Sequence, residues 1–98
     1  MEGMRGENML KKQFIVYGLV QGVGFRYFTW KTAMQIGVKG YVRNRDDGSV
    51  EVVAVGSTTQ LAQLHTWLTQ GPRTASVEQV IEQEYADSRE FTDFSVRY

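Results

Sequence analysis

The feature that most constrains this chain is an apolar strand that runs into a glycine-spaced turn, which opens directly into a helix. Phe14, Ile15, Val16 and Tyr17 lead into Gly18-Leu19-Val20-Gln21-Gly22-Val23-Gly24-Phe25-Arg26, and helical spacing begins at about Gly24. A junction of this kind points several backbone N–H groups at one spot and adds the positive end of a helix dipole. It suits a small, doubly charged oxyanion.

The remaining periodicity gives the order of elements. Leu10 to Gly18 alternates as a strand rich in β-branched and aromatic residues. Helix one is expected from about Gly24 to Ile36. Its stripe is Phe25, Phe28, Thr29, Thr32, Ala33 and Ile36, and Gly37 supplies the stop. Tyr27, Trp30 and Met34 fall on an adjacent face and are expected in the core or at its packing edge. Lys39 to Arg45 and Ser49 to Val55 read as strands joined by Asp46-Asp47-Gly48, a hairpin signal in which the aspartates are turn formers. Ser57 and Gln60 form a capping box for helix two, whose buried stripe is Leu61, Leu64 and Leu68, ending at Gly71-Pro72. Val77 to Tyr85 is a fourth strand and Phe91 to Tyr98 a short fifth.

This order is βαββαβ with an extra terminal strand. Right-handed crossovers place both helices on one face of an antiparallel sheet, a ferredoxin-like α/β sandwich. Met1 to Asn8 is polar and aperiodic, so residues 1–9 are expected to be a disordered leader ahead of one domain, 10–98.

Composition narrows the function. Ninety-eight residues at 42% hydrophobic can bury one core. No apolar run is long enough to span a membrane and no signal-peptide pattern precedes the first strand. The absence of cysteine removes disulfides, zinc ribbons and thiol chemistry, so a cytoplasmic protein is expected. The formal net charge is zero, which argues against a general nucleic-acid binder. That zero conceals an asymmetry: Asn8 to Arg45 holds seven basic residues and no acidic one, whereas Asp46 to Tyr98 holds three basic and nine acidic. Such halves could attract an anion or dock on each other.

Topology then joins two distant residues. Strands one and two of a split βαβ unit run the same way with strand three between them, so the turn after strand one and the end of strand two share an edge about 10 Å across. Arg26 and Asn44 both reach that gap. Backbone N–H groups from Gln21, Gly22, Val23, Gly24, Phe25 and Arg26 would cradle phosphoryl oxygens, with the glycines allowing close approach. Arg26 adds a planar fork of donors. Asn44 cannot take a proton, and its useful role is to orient a water in line with a scissile bond. Phosphoryl transfer asks mainly for positioning and electrostatics. In an acyl phosphate the carboxylate leaves without a general acid, so a site lacking His, Asp and Glu suffices.

Taken singly, each signal has a plain structural explanation. The third glycine of a dinucleotide fingerprint is missing, and there is no Gly-Lys-Ser/Thr phosphate loop. Asn44 alone could be a turn residue and Arg26 a surface charge. His65 is the single histidine and has no carboxylate near it in sequence; it reads as a surface or partly buried residue. Glu78, Glu82 and Glu84 read as a solvated face.

Val20-Gln21-Gly22-Val23-Gly24-Phe25-Arg26 and Gly40-Tyr41-Val42-Arg43-Asn44 resemble the paired signature motifs of the acylphosphatase family. Asp47-Gly48-Ser49-Val50-Glu51, Gly71-Pro72 and Phe94-Ser95-Val96-Arg97-Tyr98 are similar to that family too, so the resemblance spans about Leu10 to Tyr98. It implies hydrolysis of a small-molecule acyl phosphate by a metal-independent, cofactor-free enzyme that forms no phosphoenzyme. Arg26 would bind phosphate and Asn44 would orient the water. A monomer acting without nucleic acid or membrane is expected. Two alternatives come from other classes: a non-catalytic phosphate- or acyl-phosphate-binding module, and an RNA-binding module. The second is suggested by the shared element order and by Lys39-Gly40-Tyr41-Val42.

Overall fold

The computed structural model describes residues 9–98; the leader expected over 1–9 lies outside them apart from Met9. Alternation in the first apolar run makes β1 (Leu10–Leu19), which turns into α1 (Phe25–Ile36). Then follow β2 (Lys39–Asn44), β3 (Val50–Gly56), α2 (Thr58–Gln70), β4 (Ser76–Glu84) and β5 (Phe94–Arg97). The strands form one sheet in the order β4-β1-β3-β2-β5. Both helices pack on one face, so the ferredoxin-like βαββαβ sandwich read from the sequence is the fold. Expected boundaries fall within a few residues of the observed ones.

The core sits between sheet and helices. Phe14 and Val16 of β1, Val42 of β2 and Val50, Val52 and Ala54 of β3 face Phe25 and Ala33 of α1 and Leu61, Leu64 and Leu68 of α2. Period-2 and helical spacing therefore converge on one apolar layer. The α2 start is closed as its sequence predicts: Ser57 Oγ accepts from Gln60 N at 3.1 Å and Gln60 Oε1 from Ser57 N at 2.9 Å.

Helix α1 departs from its expected face. Its buried residues are Phe25, Thr29 and Ala33, spaced four apart, while Phe28, Tyr27 and Met34 are exposed by 39%, 54% and 53%. The helix covers only the β2–β5 border of the sheet, so a narrow seam is buried and the neighbouring aromatics face outward. The fifth strand also adds information. It pairs parallel to β2, whereas every other pairing is antiparallel. To reach that edge from β4, residues 85–93 must cross the face opposite the helices. There Phe91 stacks on Tyr41 at 5.8 Å between ring centroids, and Lys11 Nζ donates to the carbonyls of Asp87 and Arg89.

Under this strap the basic N-terminal half meets the acidic C-terminal half. Glu51, only 4% exposed, accepts from Arg43 Nε at 2.5 Å, from Gln13 Nε2 at 2.6 Å and from the Tyr41 hydroxyl at 3.3 Å. Burial, with the Tyr85 hydroxyl and Glu51 alongside, pushes the Tyr41 hydroxyl up to about 12. Arg43 is thus anchored on the strap side of β2, while its neighbour Asn44 has the same parity as Val42 and turns to the helix side.

Candidate active site

The turn between β1 and α1 requires its glycines. Gly22 and Gly24 have φ of 76° and 78°, a left-handed conformation costly for side chains with a Cβ. Gly24 is also the N-cap of α1, so no side chain bonds the first helical N–H groups, and no acidic residue stands in the first turn. The contrast with α2 is physical: its N-terminus is closed by its own capping box, whereas that of α1 is left open with its dipole unanswered. The only charge in that open turn is positive, Arg26.

Arg26 is held in place. Its Nη1 donates to the carbonyl of Arg97 on β5 at 3.0 Å, and its guanidinium lies over the Tyr98 ring, 4.7 Å from the centroid. Among the described residues this is the only hydrogen bond the guanidinium makes. Asn44, the last residue of β2, lines the same cleft of about 230 Å³ as Gly22, Gly24 and Arg26. Apolar side chains complete it: Val20, Phe25, Val96 and the rings of Tyr27 and Tyr98. Two side-chain polar atoms among the described residues are buried without a protein partner, Thr29 Oγ1 and Asn44 Oδ1. A buried amide oxygen without a partner is costly unless something in the cleft answers it.

The sequence-predicted residues fall as follows. Gly22, Gly24, Phe25, Arg26 and Asn44 line one cleft, joined by fold topology as expected. Gln21 and Val23 belong to the turn but act from behind it. Gln21 Nε2 donates to the carbonyls of Arg45 and Ser49, both at 2.8 Å, strapping the cradle to the hairpin that carries Asn44. The carbonyl of Val23 accepts from Thr74 Oγ1 at 2.6 Å. The hairpin itself is stiff: Asp47 Oδ1 accepts from the Ser49 hydroxyl at 2.5 Å and from its N–H at 2.9 Å, and these bonds hold the Asp47 carboxyl below its ordinary range. The Asp46-Asp47 pair is thus a turn former.

Because Gln21 fixes the distance between cradle and hairpin, Gln21→Ala should lower kcat about tenfold. That factor corresponds to the roughly 1.4 kcal/mol carried by a lost side-chain bond pair. Steady-state kinetics on the folded variant check this; an unchanged kcat leaves Gln21 a purely structural brace.

Sequence reasoning did not anticipate Tyr27, Val96 and Tyr98 as walls of the cleft, nor the grip of β5 on Arg26. The Phe94-Val96-Tyr98 alternation was the available signal, since it puts these side chains on the helix side. It also missed the partner of His65. Nδ1 of His65 donates to Glu82 Oε1 at 2.5 Å, and Lys12 Nζ lies 3.3 Å from Glu82 Oε2. The His65 and Lys12 contacts hold the Glu82 carboxyl below its usual range. Glu82 is therefore tied to α2 and β1, not merely solvated. No group of three His, Cys, Asp or Glu among the described residues is arranged to hold a metal ion.

An uncapped helix start, a glycine turn, an anchored arginine and a half-buried asparagine thus share one cleft of a ferredoxin-like sandwich. The acylphosphatase family profile matches residues 12–96. The chain is 54% identical over 88 residues to an acylphosphatase of Actinobacillus succinogenes, covering 90% of this chain and 98% of that one. It is 53% identical over 90 residues to an acylphosphatase of Mannheimia succiniciproducens, covering 92% and 100%. The crystal structure of acylphosphatase from Bacillus subtilis superposes with a TM-score of 0.85 at 36% identity, covering 91% of this chain and 99% of that one. The chain belongs to the acylphosphatase family.

Proposed function

We propose that this acylphosphatase-family hydrolase cleaves acyl phosphates by in-line attack of water, with Arg26 and Asn44 as its catalytic residues. The observation that supports the roles is that Asn44, whose Oδ1 has no protein hydrogen-bond partner, lines the same cleft as Arg26 and the open α1 N-terminus. Backbone N–H groups over Gln21–Arg26, with the fork of Arg26, take the phosphoryl oxygens. Asn44 accepts a hydrogen bond from the attacking water and aims its lone pair at phosphorus. The new P–O bond forms as the bond from phosphorus to the carboxylate oxygen breaks. The carboxylate leaves with that electron pair, and the proton shed by the water ends on the phosphate product. Charge spread over the equatorial oxygens is met by donors fixed before reaction begins.

This reading needs no metal, no phosphoenzyme and no cofactor. It carries with it a monomer. It also carries a small-molecule substrate, a cytoplasmic location, and action away from nucleic acid and membrane. No helix among the described residues is long and apolar enough to cross a membrane. The RNA-binding alternative loses its main feature, because Tyr41 is 3% exposed and is covered by Phe91 and by Arg97, whose guanidinium lies 3.8 Å from the Tyr41 ring centroid. A base cannot stack there.

Hydrolysis of benzoyl phosphate in excess chelator tests the proposal. Turnover should persist undiminished, with inorganic phosphate as a competitive inhibitor. Loss of turnover on chelation would rule out the metal-free route, and a folded protein that binds phosphate without turnover would be the non-catalytic module.

A further inference from the structure

We infer that Tyr27 is a specificity-determining residue: its ring forms a platform for the acyl group of the substrate and favours aryl and other flat apolar acyl phosphates over acetyl phosphate. The inference rests on the site assignment above and goes beyond it. In an in-line displacement the water and the leaving carboxylate stand on opposite sides of phosphorus. The water is assigned above to Asn44, a half-buried residue at the end of β2. The acyl group therefore leaves toward the open mouth, and Tyr27, a cleft residue that is 54% exposed, stands there.

Three observations make Tyr27 a built surface and not a loose side chain. In the first turn of α1 its Cα–Cβ bond tilts toward the helix N-terminus, so its ring leans back over the cradle. Two aromatic neighbours then brace it: Phe28 edge-to-face at 5.2 Å between centroids, and Trp30 at 6.1 Å. The rest of the wall (Val20, Val96 and the Tyr98 ring) is likewise apolar, so the polar groups of the cleft are concentrated at the phosphoryl end. At about 230 Å³ the cleft lies just below the usual range of small-molecule pockets, about 300–1,000 Å³, which fits a phosphoryl group with one compact substituent. Among the described residues no cation other than Arg26 lines it, so none of them recognises a second negative charge on the acyl group.

The test compares kcat/KM for benzoyl phosphate and acetyl phosphate. Taking the ratio of the two substrates in each protein cancels their different intrinsic reactivities. Tyr27→Ala should lower the benzoyl-to-acetyl ratio about fivefold, the scale of one aromatic contact, and Tyr27→Phe should keep it within about twofold. A ratio unchanged in Tyr27→Ala overturns the inference, whether both rates fall together or neither moves. A second measurement needs no variant: phenylphosphonate should inhibit the native protein several-fold better than methylphosphonate, and equal inhibition also overturns it. These outcomes are separable from failure of the site itself, because Asn44→Ala tests that independently with either substrate.

Discussion

Asn44→Ala is expected to reduce kcat by about 10²-fold or more while leaving inhibition by inorganic phosphate nearly unchanged. The size follows from mutational losses of single preorganised hydrogen-bonding groups at reacting centres. The asymmetry follows from where Asn44 sits. It closes β2 in register with Val50, on the helix side of the strand, and makes no part of the Gly22–Arg26 turn. Its oxygen has no hydrogen-bond partner in the protein, so removing it breaks no hydrogen bond of the ligand-free fold. Phosphate, held by the cradle and Arg26, should still bind. A folded variant with native kcat would end the water-orienting role; one that loses phosphate affinity as well would make Asn44 a binding group.

Arg26→Lys should raise the inhibition constant of phosphate by about 10- to 100-fold, the equivalent of one charge-assisted fork interaction, and lower kcat/KM by at least as much. Charge is preserved in this variant, so the loss isolates geometry. An ammonium on a flexible stem cannot present two parallel donors. Nor can it keep both present anchors, the Arg97 carbonyl at 3.0 Å and the Tyr98 ring at 4.7 Å, while reaching the cradle. Phosphate titration against the native chain checks this. Equal affinity would take Arg26 out of the site.

Much of this was readable before any coordinates. Gly22 and Gly24 mark a turn because left-handed backbone is cheap only for glycine. The Asp46-Asp47-Gly48 hairpin and the Ser57–Gln60 box are local devices whose partners lie within three residues. Arg26 and Asn44 meet through topology, and the order of elements alone fixes which strand ends share an edge. What escaped reading is non-local or depends on how wide a surface the helix covers. Helix periodicity could not tell that the buried stripe of α1 is the Phe25-Thr29-Ala33 seam, because the width of sheet beneath it depends on where β5 docks. The pairing of His65 with Glu82 spans 17 residues and two elements. Tyr98 over Arg26 needs β5 to lie parallel beside β2, a choice made by the strap over 85–93.

That same strand has a consequence for the order in which the molecule becomes competent. Cradle, arginine and asparagine are all encoded in the first half of the chain, so a ribosome delivers them early. The carbonyl that steadies Arg26 and the ring that lies beneath its guanidinium follow only 71 and 72 positions later. Until the fifth strand has docked along the second, the arginine has neither anchor and the cleft lacks a wall. Fixation of Arg26 is thereby tied to completion of the sheet, because the edge strand and the residue after it supply both of its anchors.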